Sequence, residues 1–110
     1  MKYEGKNIGI LGLGKSGYWS AKLAKSLNNN VFVSDSNENI NQIFIDDLKM
    51  LGVELEIGVH SNQILKSDII IKSPGIPNNS KILRKINAER IPVISEIEFA
   101  GNLSKSKNIC

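Results

Sequence analysis

Asn7-Ile8-Gly9-Ile10-Leu11-Gly12-Leu13-Gly14-Lys15-Ser16-Gly17 decides how this chain folds. A short continuous apolar run leads straight into glycines at G-x-G-x-x-G spacing, and a segment of helical periodicity follows. A run that is apolar on both faces suits a central parallel strand covered by helices on either side. The first glycine permits a tight turn, the second lets backbone approach a diphosphate, and the third lets the helix pack closely on the strand. The start of that helix offers unpaired N–H groups and about half a positive charge to an anion. Gly12, Gly14 and Gly17 are therefore candidate nucleotide-binding positions, and the backbone amides of Lys15 and Ser16 are the candidate phosphate donors.

The pattern continues outward from this motif. Ser16 to Leu27 carries Ala21, Leu23, Ala24 and Leu27 at helical spacing, and Asn28-Asn29-Asn30 ends it, since asparagine tolerates the left-handed C-cap conformation. Val31-Phe32-Val33 reads as a second strand running into a polar loop, Ser34 to Asn37. Ile40, Ile43, Phe44, Leu48 and Leu51 predict one apolar stripe on a helix over 40–51 that Gly52 stops. Val53 to Ile57 alternates as a strand, Ser61 caps a helical turn through Lys66, and Ile69-Ile70-Ile71 is β-branched throughout. Two prolines in Ser73-Pro74-Gly75-Ile76-Pro77 forbid that strand's continuation. Ser80 is placed as the cap of a helix to Glu89, and Pro92-Val93-Ile94 as a short strand. Ser95 and Glu98 have capping-box spacing at the start of a helix through about Leu103. Asn108-Ile109-Cys110 reads as the opening of a further strand that has been cut. Parallel strands need such crossovers, so the expectation is a Rossmann-like three-layer α/β domain with a mostly parallel sheet of about five strands, one domain over 1–110.

Composition narrows the chemistry. The 110 residues hold 14 basic and 11 acidic side chains, a net charge of +3, with 5% aromatics. That excess is too small, and stacking residues too few, for a nucleic-acid surface. A lone cysteine and a lone histidine, Cys110 and His60, exclude a disulfide framework and a multi-cysteine zinc site. No metal site is assigned. No apolar run approaches a membrane span or a signal peptide, which reads as a cytoplasmic protein. No residues form a catalytic constellation. His60 reads as an exposed or hydrogen-bonded loop histidine, Lys72 as a solvated charge, and Glu96 and Glu98 as capping residues complementing a helix dipole.

Asp35 stands 21 residues after Gly14, near the distance at which dinucleotide-binding folds place an acid on a ribose hydroxyl. An Asx turn with Ser36 or Asn37 is the structural alternative. Ser73 and Gly75 lie past the fourth strand, at the carboxyl edge where ligands of open α/β sheets collect.

These landmarks together resemble the Mur ligases that build peptidoglycan precursors, on the branch that adds D-glutamate. The resemblance rests on Lys6 to Gly17, Asp35-Ser36, Ser73-Pro74-Gly75-Ile76 and Ser95-Glu96-Ile97-Glu98-Phe99 in this order. It covers essentially the whole chain but only the first of the family's three domains. It implies that the fold holds the uridine diphosphate of UDP-N-acetylmuramoyl-L-alanine and not NAD. Lys15 and Ser16 would then meet the diphosphate, Asp35 and Ser36 the uracil, and Ser73 and Gly75 would close over the nucleotide. Some family members carry a basic residue after the Asp-Ser pair; this chain has Asn37. The resemblance also implies ATP and Mg²⁺ for a full-length enzyme. This chain contains no G-T-N-G-K-[ST] loop, so it is expected to bind substrate and not to convert it. Asp35→Ala is expected to weaken UDP and to spare bare pyrophosphate. On the glycine motif and Asp35 alone, a stand-alone NAD-binding regulatory module or a dehydrogenase cofactor domain fits equally well.

Overall fold

Strand β1 (Asn7–Leu11) shows why the sheet has two covered faces. Ile8 and Ile10 turn to one side and pack with Ala21, Ala24, Val31, Val33, Leu48 and Phe99, while Leu11 turns to the other and meets Ile64, Ile70, Ile82 and Ile86. The same alternation runs through β2 (Asn30–Asp35), where Val31 and Val33 oppose Phe32, and through β4 (Ile69–Lys72), where Ile69 and Ile71 oppose Ile70. Strands with period-two side chains that are apolar on both faces are stable only between two layers. The computed structural model describes residues 4–77 and 79–107, with side chains through residue 102.

Helix α1 (Lys15–Ser26) contacts α2 (Gln42–Met50) and α4 (Glu96–Lys107) on one face. The short 3₁₀ turn η1 (Asn62–Lys66) and α3 (Lys81–Ala88) supply the apolar residues of the other. With β3 (Glu54–Ile57) and β5 (Val93–Ser95) the sheet has the order β3-β2-β1-β4-β5. All four pairings are parallel, so the sheet is wholly parallel where the sequence predicts mostly so. The chain winds outward from β1 to β3, then crosses back to β4. The crevice where the order reverses, above the carboxyl ends of β1 and β4, is where ligands of such sheets bind.

Several boundaries differ from the sequence reading for tertiary reasons. β2 extends through Ser34 and Asp35, residues that read as loop, because Ser34 pairs with Leu11 and Glu56 and Asp35 with Ile57. The helix predicted over 40–51 starts at Gln42, capped by Asn41, whose Oδ1 accepts from the Ile43 amide at 2.9 Å. Its inward side is Ile45 and Leu48, with Phe44 stacked on Tyr18, whereas Ile43 and Leu51 of the predicted stripe face solvent. Tyr18 selects that rotation: its ring lies 4.4 Å from Phe44 and its hydroxyl donates to Asp47. Ser80 takes the cap position of α3 without a capping bond. Ser95 does cap α4, accepting from the Glu98 amide at 3.0 Å. α4 continues to Lys107, beyond the predicted end near Leu103. The strand predicted at Asn108-Ile109-Cys110 lies outside the described residues. No helix among the described residues is long and apolar enough to cross a membrane.

Candidate functional site

The loops after β1, β2 and β4 are fastened to one another by backbone bonds. The Gly12 amide donates to the Ser34 carbonyl at 2.9 Å, and the Ser73 amide to the Leu11 carbonyl at 2.9 Å. Gly12 has a φ of +99°, and a Cβ there would lie 2.7 Å from the Ser73 Cβ, so only glycine lets the two loops meet. A Cβ on Gly17 would overlap the Gly12 carbonyl oxygen, which is how tightly α1 sits on the end of β1. Gly14 is different: open space surrounds the place where its Cβ would be. It holds the N-cap position of α1 and has no side chain to accept from the first turn. The first intrahelical bond there runs from Tyr18 back to the Gly14 carbonyl, 2.9 Å. The amides of Lys15 and Ser16 precede it and have no partner within the helix.

Asp35 is already engaged. Its Oδ2 accepts from the Leu13 amide at 2.7 Å and its Oδ1 from the Asn37 amide at 2.8 Å. The second bond is the Asx turn that the sequence allows. The first ties the glycine loop to β2 across 22 residues of chain. Each oxygen retains lone-pair capacity for a further donor. Ser36 next to it is exposed.

Ser73 and Gly75 form a tight turn. The Ile76 amide donates to the Ser73 carbonyl at 3.1 Å, and the Gly75 amide approaches the Ser73 hydroxyl at 3.4 Å. Lys72, which reads as a solvated charge, instead folds back and donates to the Ile76 carbonyl at 2.8 Å. Between this loop and the end of β2 lies a cavity of about 260 Å³ lined by Ser36, His60, Ile76, Pro77, Ser80 and the base of α3. Its walls are mostly apolar, which suits a flat heteroaromatic ring.

His60, Ser34 and Glu56 make a chain of hydrogen bonds beside that cavity. His60 Nδ1 lies 2.7 Å from the Ser34 hydroxyl, which lies 2.9 Å from Glu56 Oε1. The same Glu56 oxygen accepts from the Ser61 amide at 2.8 Å. Burial would raise the Glu56 carboxyl, but hydrogen bonds from Ser61 and Ser34 and the nearby His60 ring outweigh it and hold it below its ordinary value. Of the two readings that its sequence context allows, exposed or hydrogen-bonded, His60 takes the hydrogen-bonded one. The sequence reading singles out neither Ser34 nor Glu56. Their partnership depends on β2–β3 register, in which Ser34 sits opposite Glu56, and register between parallel strands leaves no local signal.

A second hollow, about 570 Å³, runs between α1 and α4 and is lined by Lys15, Ser16, Trp19, Glu96, Ile97 and Phe99 among others. Glu96 is 6% exposed, and neither carboxylate oxygen has a hydrogen-bond partner. Among the described residues no three His, Cys, Asp or Glu side chains converge as metal ligands.

A family model for the Mur ligase MurD-like N-terminal domain matches residues 6–95. The chain belongs to the Mur ligase family. Curated relatives agree along nearly the whole of this Mur ligase domain. UDP-N-acetylmuramoylalanine–D-glutamate ligase of Cytophaga hutchinsonii is 47% identical over 96 residues, 86% of this chain and 21% of that protein. The ligase of the same name from Bacteroides thetaiotaomicron is 45% identical over 106 residues, 96% of this chain and 24% of its own length. The chain thus spans between a fifth and a quarter of these relatives. Among solved structures, UDP-N-acetylmuramate-alanine ligase of Thermotoga maritima superposes with a TM-score of 0.75 at 22% identity, over 92% of this chain and 23% of that one. A 3-hydroxyacyl-CoA dehydrogenase of Archaeoglobus fulgidus gives 0.61 at 18% identity, over 82% and 33%. At such identities the two superpositions establish the shared Rossmann-type fold. The Mur ligase assignment rests on the sequence matches.

Proposed function

We propose that this domain holds the uridine diphosphate end of UDP-N-acetylmuramoyl-L-alanine for a ligase that adds D-glutamate to it. One observation carries this reading: an open, uncapped helix start at Gly14-Lys15-Ser16 and a base-sized cavity between the β2 and β4 loops lie along the same carboxyl edge of the sheet. The names of the curated relatives supply the substrate and the amino acid. In this reading the Lys15 and Ser16 amides bind the diphosphate, with the helix dipole adding to their attraction. Gly12 and Gly17 shape the turn beneath it. Ser36 and Asp35 border the uracil at the end of β2, and Ser73 and Gly75 close the nucleotide from the β4 side. Residues 1–110 form one domain, and the remaining three quarters of the parent enzyme carry the ATP and Mg²⁺ chemistry and the acceptor amino acid. The domain itself positions one end of the substrate and excludes water around the base. It makes no bond.

Calorimetric titration of the 110-residue chain with UDP-N-acetylmuramoyl-L-alanine, UDP and NAD tests the proposal. Binding of both uridine ligands ahead of NAD is the expected order. Tighter binding of NAD than of either would overturn it in favour of a dehydrogenase-type cofactor domain. Incubation with ATP, Mg²⁺, D-glutamate and the muramoyl substrate should release no phosphate; turnover by this chain would refute its role as a holding domain.

A further inference from the structure

Glu96 and Glu98 stand two residues apart at the start of α4, yet only Glu98 is exposed. Glu96 is 6% exposed, and both of its carboxylate oxygens are buried without a hydrogen-bond partner. Capping does not account for this. The Ser95 hydroxyl is the cap of α4, accepting from the Glu98 amide at 3.0 Å. Nor does an ion pair account for it, since among the described residues no cation stands within salt-bridge distance of Glu96. A carboxylate held away from water without a donor destabilises a fold until a donor arrives.

The hollow that Glu96 lines shows what kind of donor fits. It encloses about 570 Å³ between α1 and α4, a size suited to a small organic ligand. Trp19, Leu23, Ile97 and Phe99 make its walls largely apolar. Trp19 adds a preference for positive charge, because an indole face attracts cations. The Lys22 ammonium already stands 4.9 Å from the centroid of that ring. Lys15 borders the hollow too, exposed and unbonded to Glu96. The Glu96 charge repels anions, so the hollow is not a continuation of the phosphate mouth at Lys15 and Ser16.

We propose that the hollow between α1 and α4 is a binding site for an amphipathic monocation, an ammonium or guanidinium on an apolar body, whose charged head is received by Glu96. Trp19, Leu23 and Phe99 receive the body. The site is separate from the uridine reading above and stands or falls without it. A charge-assisted hydrogen bond to an otherwise unpaired carboxylate is the strongest contact the hollow has to give, so the ligand's charge should decide binding. An amine should bind roughly tenfold tighter than an alcohol of the same shape. A carboxylate on the same apolar body should not bind.

Trp19 is the only tryptophan of the chain, so its fluorescence reports on this hollow. Phenethylamine, 2-phenylethanol and phenylacetate are titrated into the 110-residue parent, Glu96→Gln, Glu98→Gln and Ala100→Phe. In the parent the amine should be preferred and phenylacetate should be silent. Glu96→Gln should bring amine and alcohol within about twofold of each other by weakening the amine alone. Glu98→Gln, which removes an exposed charge from the same helix turn, should leave the preference intact. Ala100 also lines the hollow, and Ala100→Phe should weaken amine and alcohol together by filling it. Equal binding of amine and alcohol by the parent would overturn the proposal, as would an equal loss of preference in Glu98→Gln and Glu96→Gln. Nuclear Overhauser contacts from the phenethylamine ring to Trp19 and Phe99 are expected in the parent and require no variant. Contacts confined to another part of the chain, or no saturation by the amine below about 10 mM, would equally sink the site.

Discussion

Replacing Asp35 by alanine releases two backbone amides at once, and their surroundings set the size of the effect. The Leu13 amide belongs to a residue only 2% exposed, so its hydrogen bond to Oδ2 has no ready substitute from water. A buried donor left without an acceptor costs about 1–3 kcal/mol. Asn37 is exposed, so water replaces Oδ1 there at roughly 0.5 kcal/mol. The expected loss is about 2 kcal/mol, which for a domain of this size corresponds to a fall in Tm of about 10 °C. Asp35→Asn keeps one acceptor oxygen and should lose about half as much. Thermal unfolding of the chain followed by circular dichroism, with Ser36→Ala as a surface control, measures all three. A fall of less than about 2 °C in Asp35→Ala would refute the tether. The sequence alone predicts that this variant spares pyrophosphate. The bond to Leu13 reverses that expectation, because freeing Leu13 loosens the loop that presents Lys15 and Ser16, and pyrophosphate affinity should fall as well.

Three further outcomes follow from the geometry. Gly17→Ala forces a Cβ into the Gly12 carbonyl oxygen and should destabilise the domain by about 3 kcal/mol, measured by urea unfolding; a change within about 0.5 kcal/mol would mean that α1 can slide. Glu56 is held below its ordinary value in the fold, so its contribution is complete above the unfolded carboxyl range and disappears as pH falls through the lowered folded value. Unfolding free energy should therefore decline on acidification below about pH 5, with a shallower decline in Glu56→Gln; parallel curves would contradict this. Glu96→Gln replaces a buried carboxylate that has no hydrogen-bond partner by a neutral amide and should stabilise the chain by about 1 kcal/mol, even after losing the helix-dipole term; a lower Tm would show that the charge is compensated.

How much of this was written in the sequence varies with the range of the interaction. Local signals carried far: the apolar run of β1, the glycine spacing, and the Ser61 and Ser95 caps all recur in the fold, with Ser61 accepting from the Gln63 amide at 3.2 Å. The rotation of α2 did not show, because the stack of Phe44 on Tyr18 joins residues far apart in sequence. Nor did the true length of β2, since Ser34 and Asp35 become strand only when β1 and β3 pair with them. Ser80 looked like a cap and sits where a cap should, yet its hydroxyl is buried without a partner. At the site, spacing marked Asp35 as important without saying for what. Its bond to Leu13 and the Glu56–Ser34–His60 chain are products of register and crossover, and residue identity alone does not encode them.

The fastening of the three loops bears on how quickly this domain can work. Ser34, Leu11 and Asp35 hold the amides of Gly12, Ser73 and Leu13 before any ligand arrives. The ordering entropy of the binding surface is thereby settled during folding, and an incoming nucleotide meets a wall already in its final shape. Encounter should then be governed by diffusion and orientation, with no slow loop closure behind it. Ligands that differ in a single hydrogen bond should arrive at similar rates and be told apart by how long they stay.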